Sequence, residues 1–352
     1  MTNPPGPVLV IGCGLIGTSV ALALTEAGVT VHLDDIRLAN VELAVSRGAG
    51  TADPVEAPAL VVVAVPPGDV VATIERALKS WPAAIITDVA SVKADIQRQV
   101  ALLDGGERYV GSHPMAGSER SGPLAGSARL FEGRPWAVTA APDADPAAVE
   151  LVTLVADLAG GVPLVMDAAA HDRAVALVSH VPHLLSVLTA ARLNGAPEDH
   201  LALAGPGLRD VTRIAGSDIE LWQDILGANA PEVRAVLEGV RADLDTILTT
   251  IGEDASALGD VLRSGQDGTR LIPGKHGEKV VELATVFVSV PDHPGELSRL
   301  MAHTGESGVN IEDIRIDHEL GRRVGQVEIA VVATSADTLV GALTARGWSA
   351  YR

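Results

Sequence analysis

The sequence predicts an α/β protein built in three parts: a doubly wound parallel sheet, an all-helical domain and a small βαββαβ domain. Three observations carry that expectation. Short β-branched runs alternate with longer helical patterns through the first half of the chain, the order that parallel strands and crossover helices require. From about residue 168 to 262 the chain turns rich in Ala and Leu with few β-branched clusters, as a helical domain does. Beyond a Gly- and Pro-rich stretch, strand and helix patterns return in the order of a split βαβ unit.

Strands are expected at 8–11, 29–33, 60–65, 84–87, 109–111, 136–139 and 163–166, each a short apolar run bounded by turn residues. In the helical part the longest pattern covers 232–251. The run SGQDGTRLIPGKHG interrupts both periodicities and reads as a linker. A strand at 280–290, a helix at 295–307, strands at 311–317 and 324–333, a helix at 336–346 and a last strand at the end follow. The expected domains are therefore 1–167, 168–264 and 280–352, with 265–279 joining the last two.

Composition narrows the function. The 352 residues are 47% hydrophobic and 20% charged, enough apolar material for packed cores. A net charge of −19 argues against the broad basic face that nucleic acids need, leaving room only for local pockets for small anions. One cysteine, Cys13, forbids an intrachain disulfide and a cysteine-ligated zinc. The N-terminal apolar run lacks a basic leader and passes directly into glycines, and the apolar stretch at 57–65 is about half of a membrane span. A cytoplasmic protein is expected, with neither nucleic acid nor membrane as partner.

Gly12-Cys13-Gly14-Leu15-Ile16-Gly17 follows the first strand and opens an amphipathic helix. Glycines there allow a tight turn and close approach of a pyrophosphate, and the helix N-terminus offers unpaired N–H groups, so Gly12, Gly14, Leu15, Ile16 and Gly17 are candidate dinucleotide contacts. The second strand ends in Asp34-Asp35, where a carboxylate would accept hydrogen bonds from the adenosine ribose. Asp35 has the better spacing and Asp34 is the alternative. Either would repel a 2′-phosphate and favour NAD over NADP, although Arg37 is close by in sequence. Cys13 reads as a small filler of the loop.

Two further segments follow strands at the edge where open α/β sheets bind ligands. TDVASVK brings Ser91 and Lys93 to a helix start, and GSHPMAGSE holds His113 between Pro and Gly residues, as suits an acid–base group. The helical domain supplies His171-Asp172-Arg173 and SHVPH, in which His180 and His183 share a helix face. For His180 and His183, substrate contact or a packing role fits better than metal, because Pro182 disturbs the helix and no H-E-x-x-H frame is present. Arg209 and Arg213, at i and i+4, would aim two guanidinium groups at a carboxylate, or pair with Asp210 and Asp218 at the surface. Trp222 reads as a core anchor. No nucleophile elbow appears, and hydride transfer accounts for more of the chain than acyl transfer does.

In their order VIGCGLIG, TDVASVK, HPMAGSE, SHVPHLLS and GLRDVTRIAGSD followed by LW, these segments resemble the prephenate dehydrogenase family, which includes arogenate dehydrogenases, over residues 8–265. VSVPDHPGEL followed by GVNI resembles an ACT domain, a module that commonly binds amino acids. The resemblance implies a Rossmann-type NAD-binding domain, a helical domain that forms a homodimer, and a regulatory ACT domain. It implies oxidative decarboxylation of prephenate with NAD, with His113 accepting the hydrogen bond and proton of the C4 hydroxyl and Ser91 bonding the same hydroxyl or the histidine. Arg213 would bind a substrate carboxylate with Arg209 in support, His183 would line the side-chain end, and His180 and Glu119 would support or gate. Tyrosine is the implied effector, with Asp292, Pro294, Gly295, Asn310 and Ile311 as its contacts. Arogenate as substrate, another dehydrogenase that carries an ACT domain, and a non-catalytic amino-acid sensor are the rival readings.

Overall fold

The computed structural model describes residues 6–117, 120–272, 283–318 and 324–352. They divide into two compact units, one extending to residue 242 and the other covering 243–352.

In the first unit, β1 (Val8–Ile11) leads into α1 (Leu15–Glu26), and β2 (Val31–Asp34), α2 (Leu38–Ser46), β3 (Leu60–Val63), α3 (Val70–Ser80), β4 (Ile85–Asp88) and α4 (Ala94–Val100) follow. The four strands form a parallel sheet in the order β2-β1-β3-β4. Alternate side chains of each strand enter opposite cores. Val8, Val10, Leu60 and Val62 pack with Val20 and Leu24 of α1, whereas Leu9, Ile11, Val61 and Val63 pack with Val70 and Ile74 of α3. Strands buried on both faces read as continuous β-branched runs, which is how VLVI and LVVV stand in the sequence.

The next strands form a separate three-stranded sheet and depart from the expectation of wholly parallel strands. Tyr109 makes a parallel bridge to Ile86, and β5 (Gly111–Pro114) pairs antiparallel with β6 (Pro135–Thr139). After α5 (Pro146–Leu158), β7 (Val162–Met166) pairs parallel with β6. The described part of the segment between β5 and β6 holds only a single-turn 3₁₀ helix at Pro123–Ala125, so no crossover helix there carries the chain back to the parallel sense.

The helical part begins with α6 (Ala168–Val175), a π-helical turn at Ala176–His180 and α7 (Val181–Ala191), in one continuous run. Pro182, expected to disturb the helix, lies at its start without ending it: the widened turn just before it accommodates a residue that donates no backbone hydrogen bond. By length and composition this run of 168–191 could cross a membrane. It buries His171, Asp172, His180 and His183, however, so one of its faces packs inside the unit. Short helices α8 (Glu198–Leu201) and α9 (Pro206–Thr212), a 3₁₀ turn at Arg213–Gly216, α10 (Ile219–Ala228) and α11 (Ala230–Thr250) follow, the unit boundary falling inside α11. Leu177, Val178, Leu188, Val211 and Ile219 are exposed on this part of the unit.

In the second unit, α12 (Ala255–Thr269) corrects the linker expected at 265–279: its first five residues are helical, and 273–279 lie outside the described residues. The glycines of SGQDG weaken the helix, but its end carries the ion pair Arg270–Asp267 at 2.9 Å, one turn apart. The chain then forms β8 (Leu283–Pro291), α13 (Glu296–Glu306), β9 (Asp313–His318), β10 (Val324–Val332), α14 (Ala336–Ala345) and β11 (Ser349–Tyr351). The antiparallel sheet has the order β11-β8-β10-β9 and packs Val286, Val288, Val327 and Ile329 with Leu300, Leu339 and Leu343 of its helices. This is the expected βαββαβ arrangement.

Candidate active site

The glycine loop joins β1 to α1 at the C-terminal edge of the sheet. Gly12 has φ +103°, and a Cβ on it would lie 2.4 Å from the Ala64 carbonyl oxygen of the neighbouring strand's loop. A Cβ on Gly17 would lie 1.9 Å from the Gly12 oxygen, so these two glycines are required by the fold itself. Gly14 differs: its Cβ would meet nothing within 4 Å. It caps α1 with no side chain, and the amides of Leu15, Ile16 and Gly17 in the first turn have no intrahelical acceptors. Open space beside such amides fits a pyrophosphate.

Of the two acids, Asp35 faces the loop. Its Oδ2 accepts from the Cys13 N–H at 2.7 Å, and its Oδ1 accepts from the Arg37 N–H at 2.8 Å and from Asn40 Nδ2 at 3.2 Å. Asp34 is the last residue of β2, exposed, and meets the loop through its carbonyl, which accepts from the Gly12 N–H at 2.8 Å. Burial, then the charges of Asp35 and Asp34, push the Cys13 thiol up to about 12, so it stays protonated as filler.

A second group gathers around β5 and α6. His113, on β5, is partly exposed and has its Nδ1 2.9 Å from Nε2 of His171. His171 Nδ1 is in turn 2.8 Å from Asp172 Oδ1. Asp172 also accepts the backbone N–H of Lys93 at 2.8 Å and of Ala94 at 2.9 Å, at the start of α4. Burial alone would raise the Asp172 carboxyl, but the hydrogen bonds from His171, Ala94 and Lys93 outweigh it and hold the group below its usual range. Asn229 donates from Nδ2 to the Asp172 carbonyl at 2.8 Å and lies 3.2 Å from His180 Nδ1.

Beneath the histidines lies a buried charged knot. Lys93 is fully buried, pairs with Asp88, and donates to the Ser112 carbonyl at 2.8 Å; Tyr109 donates to the other oxygen of Asp88. Burial lowers the Lys93 ammonium and raises the Tyr109 phenol. Burial also pushes His113 well below the ordinary histidine range, and the nearby His171, Lys93 and His180 add to that. Burial holds His180 down to about 4 despite the counteracting charge of Asp172. The ring at 113 is therefore neutral at physiological pH, as a proton acceptor must be.

His183 stacks on Trp222, with centroids 3.5 Å apart and planes within 2°, and His180 meets the same indole edge-on at 6.0 Å. Burial lowers the His183 ring as well. Trp222 thus contacts both histidines rather than serving as an apolar anchor alone. The expected single helical turn through both arginines is interrupted: α9 ends at Thr212, whose Oγ1 donates to the Leu208 carbonyl at 2.7 Å, and Arg213 opens the 3₁₀ turn that packs on α7. Both arginines are exposed, and no described carboxylate forms a salt bridge with either. Asp218, offered as a surface partner, instead caps α10 through the Leu221 N–H at 2.8 Å. Ser91 lies in the β4–α4 loop, half-buried, and no hydrogen bond joins it to His113. Glu119 lies outside the described residues.

In the second unit the expected effector contacts separate. Asp292, Pro294 and Gly295 follow the end of β8, and Gly295, with φ +95°, caps α13. Asn310 and Ile311 precede β9, with Asn310 Nδ2 donating to Glu312 at 2.8 Å. Pro291 pairs with Val324, while Asp313 pairs with Ala330, itself opposite Thr285. The two loops therefore lie at opposite ends of the sheet, about 20 Å apart at the usual strand rise.

His171, Asp172, Lys93, Asp88, Tyr109 and Asn229 received no role in the sequence reading. A His-Asp pair at a helix start and a lysine inside an apolar segment were visible signals, but their partners are 58 and 79 residues away.

Residues 20–164 match the family model described as prephenate dehydrogenase, nucleotide-binding domain, and residues 167–263 match the prephenate dehydrogenase, dimerization domain. A probable prephenate dehydrogenase of Streptomyces niveus, NovF, is 36% identical over 97% of this chain and 98% of its own length. Among solved structures, prephenate dehydrogenase from Aquifex aeolicus in complex with hydroxyphenyl propionate and NAD+ superposes with a TM-score of 0.70 at 29% identity, covering 76% of this chain and 99% of that one. The arogenate dehydrogenase of Synechocystis gives 0.64 at 26% identity, covering 75% and 98%. With both family domains matched in order across the glycine-loop unit and the helical part, the chain belongs to the prephenate dehydrogenase family.

Proposed function

We propose that the chain carries out its family's reaction, the NAD-dependent oxidative decarboxylation of prephenate to 4-hydroxyphenylpyruvate, with His113 as the proton acceptor. The observation that carries the assignment is a neutral histidine, held by a hydrogen-bonded pair, in the same unit as the glycine loop. Gly12, Gly14, Gly17 and the first-turn amides of Leu15 and Ile16 would hold the dinucleotide, with Asp35 rather than Asp34 toward the ribose. Asp35 there disfavours a 2′-phosphate, and Arg37 offers its backbone N–H to that carboxylate. NAD supplies the hydride acceptor.

The chain's residues then have limited work. His113 accepts the proton of the C4 hydroxyl as the C4 hydride leaves with its electron pair; the bond to the C1 carboxylate breaks, releasing CO2, and its electrons complete the aromatic ring. The proton returns to the phenol oxygen, so substrate and NAD+ give product, CO2 and NADH with no proton left over. Arg213, with Arg209 close in sequence, serves a substrate carboxylate as an exposed guanidinium can. His183 and His180, arranged around Trp222, bound the side-chain end, and Ser91 serves the hydroxyl.

The likeness to an arogenate dehydrogenase supports a second substrate, differing only in an amine on the side chain. The apolar residues exposed on the helical part support a homodimer, and the cytoplasm is the compartment that suits a chain with a single buried thiol. For the second unit we assign an amino-acid effector, tyrosine. One using both loops would draw one from each of two copies, since a single copy separates them. The test follows NADH absorbance with prephenate or arogenate, each with and without tyrosine. Turnover on prephenate, suppressed by tyrosine, is the expected result; silence on both substrates with intact NAD binding would return the chain to the sensor reading.

A further inference from the structure

We infer that His171 and Asp172 are positioning residues that fix the proton of His113 on Nδ1, so that Nε2 presents its lone pair to the substrate hydroxyl. This rests on the reading of His113 as the proton acceptor and adds how the acceptor nitrogen is selected.

The argument is one of donors and acceptors. Asp172 receives the N–H groups of Lys93 and Ala94 as well as His171 Nδ1, all at 2.8–2.9 Å. With a backbone N–H on each oxygen and its carboxyl held below the usual range, Asp172 is ionised and can only accept. The nitrogen of His171 facing it must therefore carry a hydrogen, and in the neutral ring the opposite nitrogen, Nε2, is then an acceptor. His113 Nδ1 lies 2.9 Å from that nitrogen, so it must be the donor, and the bare nitrogen of ring 113 is Nε2.

Without the pair, a free neutral imidazole would place its proton on either nitrogen, and a proton on Nε2 would face a hydroxyl proton. Among the described residues, the charged and titratable groups that act on ring 113 are His171, Lys93 and His180. Lys93 is neutralised by Asp88, and His180 is kept uncharged by burial, leaving Asp172 as the group whose charge sets the direction. When His113 takes the proton, its Nδ1–H continues to donate to His171, and the new positive charge faces a ring backed by a carboxylate. The arrangement follows the logic of an acid that holds a catalytic imidazole in the right tautomer.

The same pair joins two parts of the fold. Asp172 is on α6, its acceptor contacts are at the start of α4, and its ring partner reaches β5. A contact between the nucleotide-binding and helical parts thereby sets the position of one proton.

The test is ¹⁵N NMR of the histidine rings in the full-length protein, alongside steady-state kinetics. Expected for the native protein is a proton on Nδ1 of both His113 and His171, with both Nε2 nitrogens bare. His171→Leu should leave His113 in a mixture of tautomers and lower kcat about 100-fold or more with NAD affinity unchanged, whereas His171→Gln, whose amide oxygen can still accept from His113, should recover most of that loss. A native spectrum with the proton on His113 Nε2, or a folded His171→Leu with the native His113 tautomer and native kcat, overturns the proposal. The ring spectra need no substrate, so a native tautomer as expected in a protein inactive on both cyclohexadienyl substrates would refute the assigned reaction alone. Should His171→Leu fail to fold, the native spectrum and His171→Gln still decide.

Discussion

The glycine loop and the histidine cluster lie in one unit, the loop after β1 of the parallel sheet and the cluster around β5 of the three-stranded one, and they are assembled in opposite ways. The loop is six consecutive residues whose demands are set by backbone: Gly12 against the Ala64 carbonyl, Gly17 against Gly12, and the Cys13 N–H on Asp35. The cluster draws His113 from β5, His171 and Asp172 from α6 and backbone amides from the start of α4, and none of these is near the others in sequence. A binding element can be local because backbone geometry suffices for it. An acid–base element requires a defined proton position, and that takes donors and acceptors from several directions.

If the division is right, damage to the cluster should affect chemistry and damage to the loop should affect binding or folding. The largest effect is expected for His113→Asn, a fall in kcat of about 100- to 10,000-fold with little change in NAD dissociation measured by fluorescence titration. Next is Gly12→Ala, which must relieve both a positive φ and a 2.4 Å contact; it should lower unfolding free energy by about 3 kcal/mol in denaturant titrations, and native stability there would show that the loop is not fixed by the fold. Arg213→Ala, removing a charged hydrogen-bond donor, should raise KM about 10- to 100-fold and leave kcat nearly unchanged. A milder and more selective result is expected from Gly14→Ala: free-protein stability within about 0.5 kcal/mol of native but NAD binding weakened about tenfold, because the new methyl occupies only the space a ligand would use.

The smallest effect at neutral pH concerns stability. His180 is held down to about 4 in the folded protein, against about 6.5 for an unfolded histidine. Between those values the unfolded chain binds the extra proton, so stability falls as pH drops through that window and levels off below it. The downward shift of His113 acts in the same direction. His180→Gln should narrow the difference between melting temperatures at pH 7 and pH 5; an unchanged difference would place the acid sensitivity elsewhere.

Strand and helix order, the nucleotide loop and the family were legible in the chain because each rests on near-neighbour rules: a run of VLVI buried on both faces, glycines at a turn, an acid at the end of the second strand. His113, Arg213 and the SHVPH histidines were legible as motifs. Their surroundings were not. The antiparallel β5–β6 pairing depended on a connection that forms no crossover helix, and the continuation of α12 through SGQDG ran against glycine propensity.

What the sequence by itself determined is therefore the architecture, the family and the residue types at the reacting edge, since these follow from periodicity and from backbone chemistry spanning a few residues. Only the tertiary structure decided which acid faces the loop, which ring leans on which, and that a carboxylate on the helical part receives the first amides of α4. A hydrogen bond is directional over about 3 Å, and no pattern along the chain records which distant groups will meet within that distance.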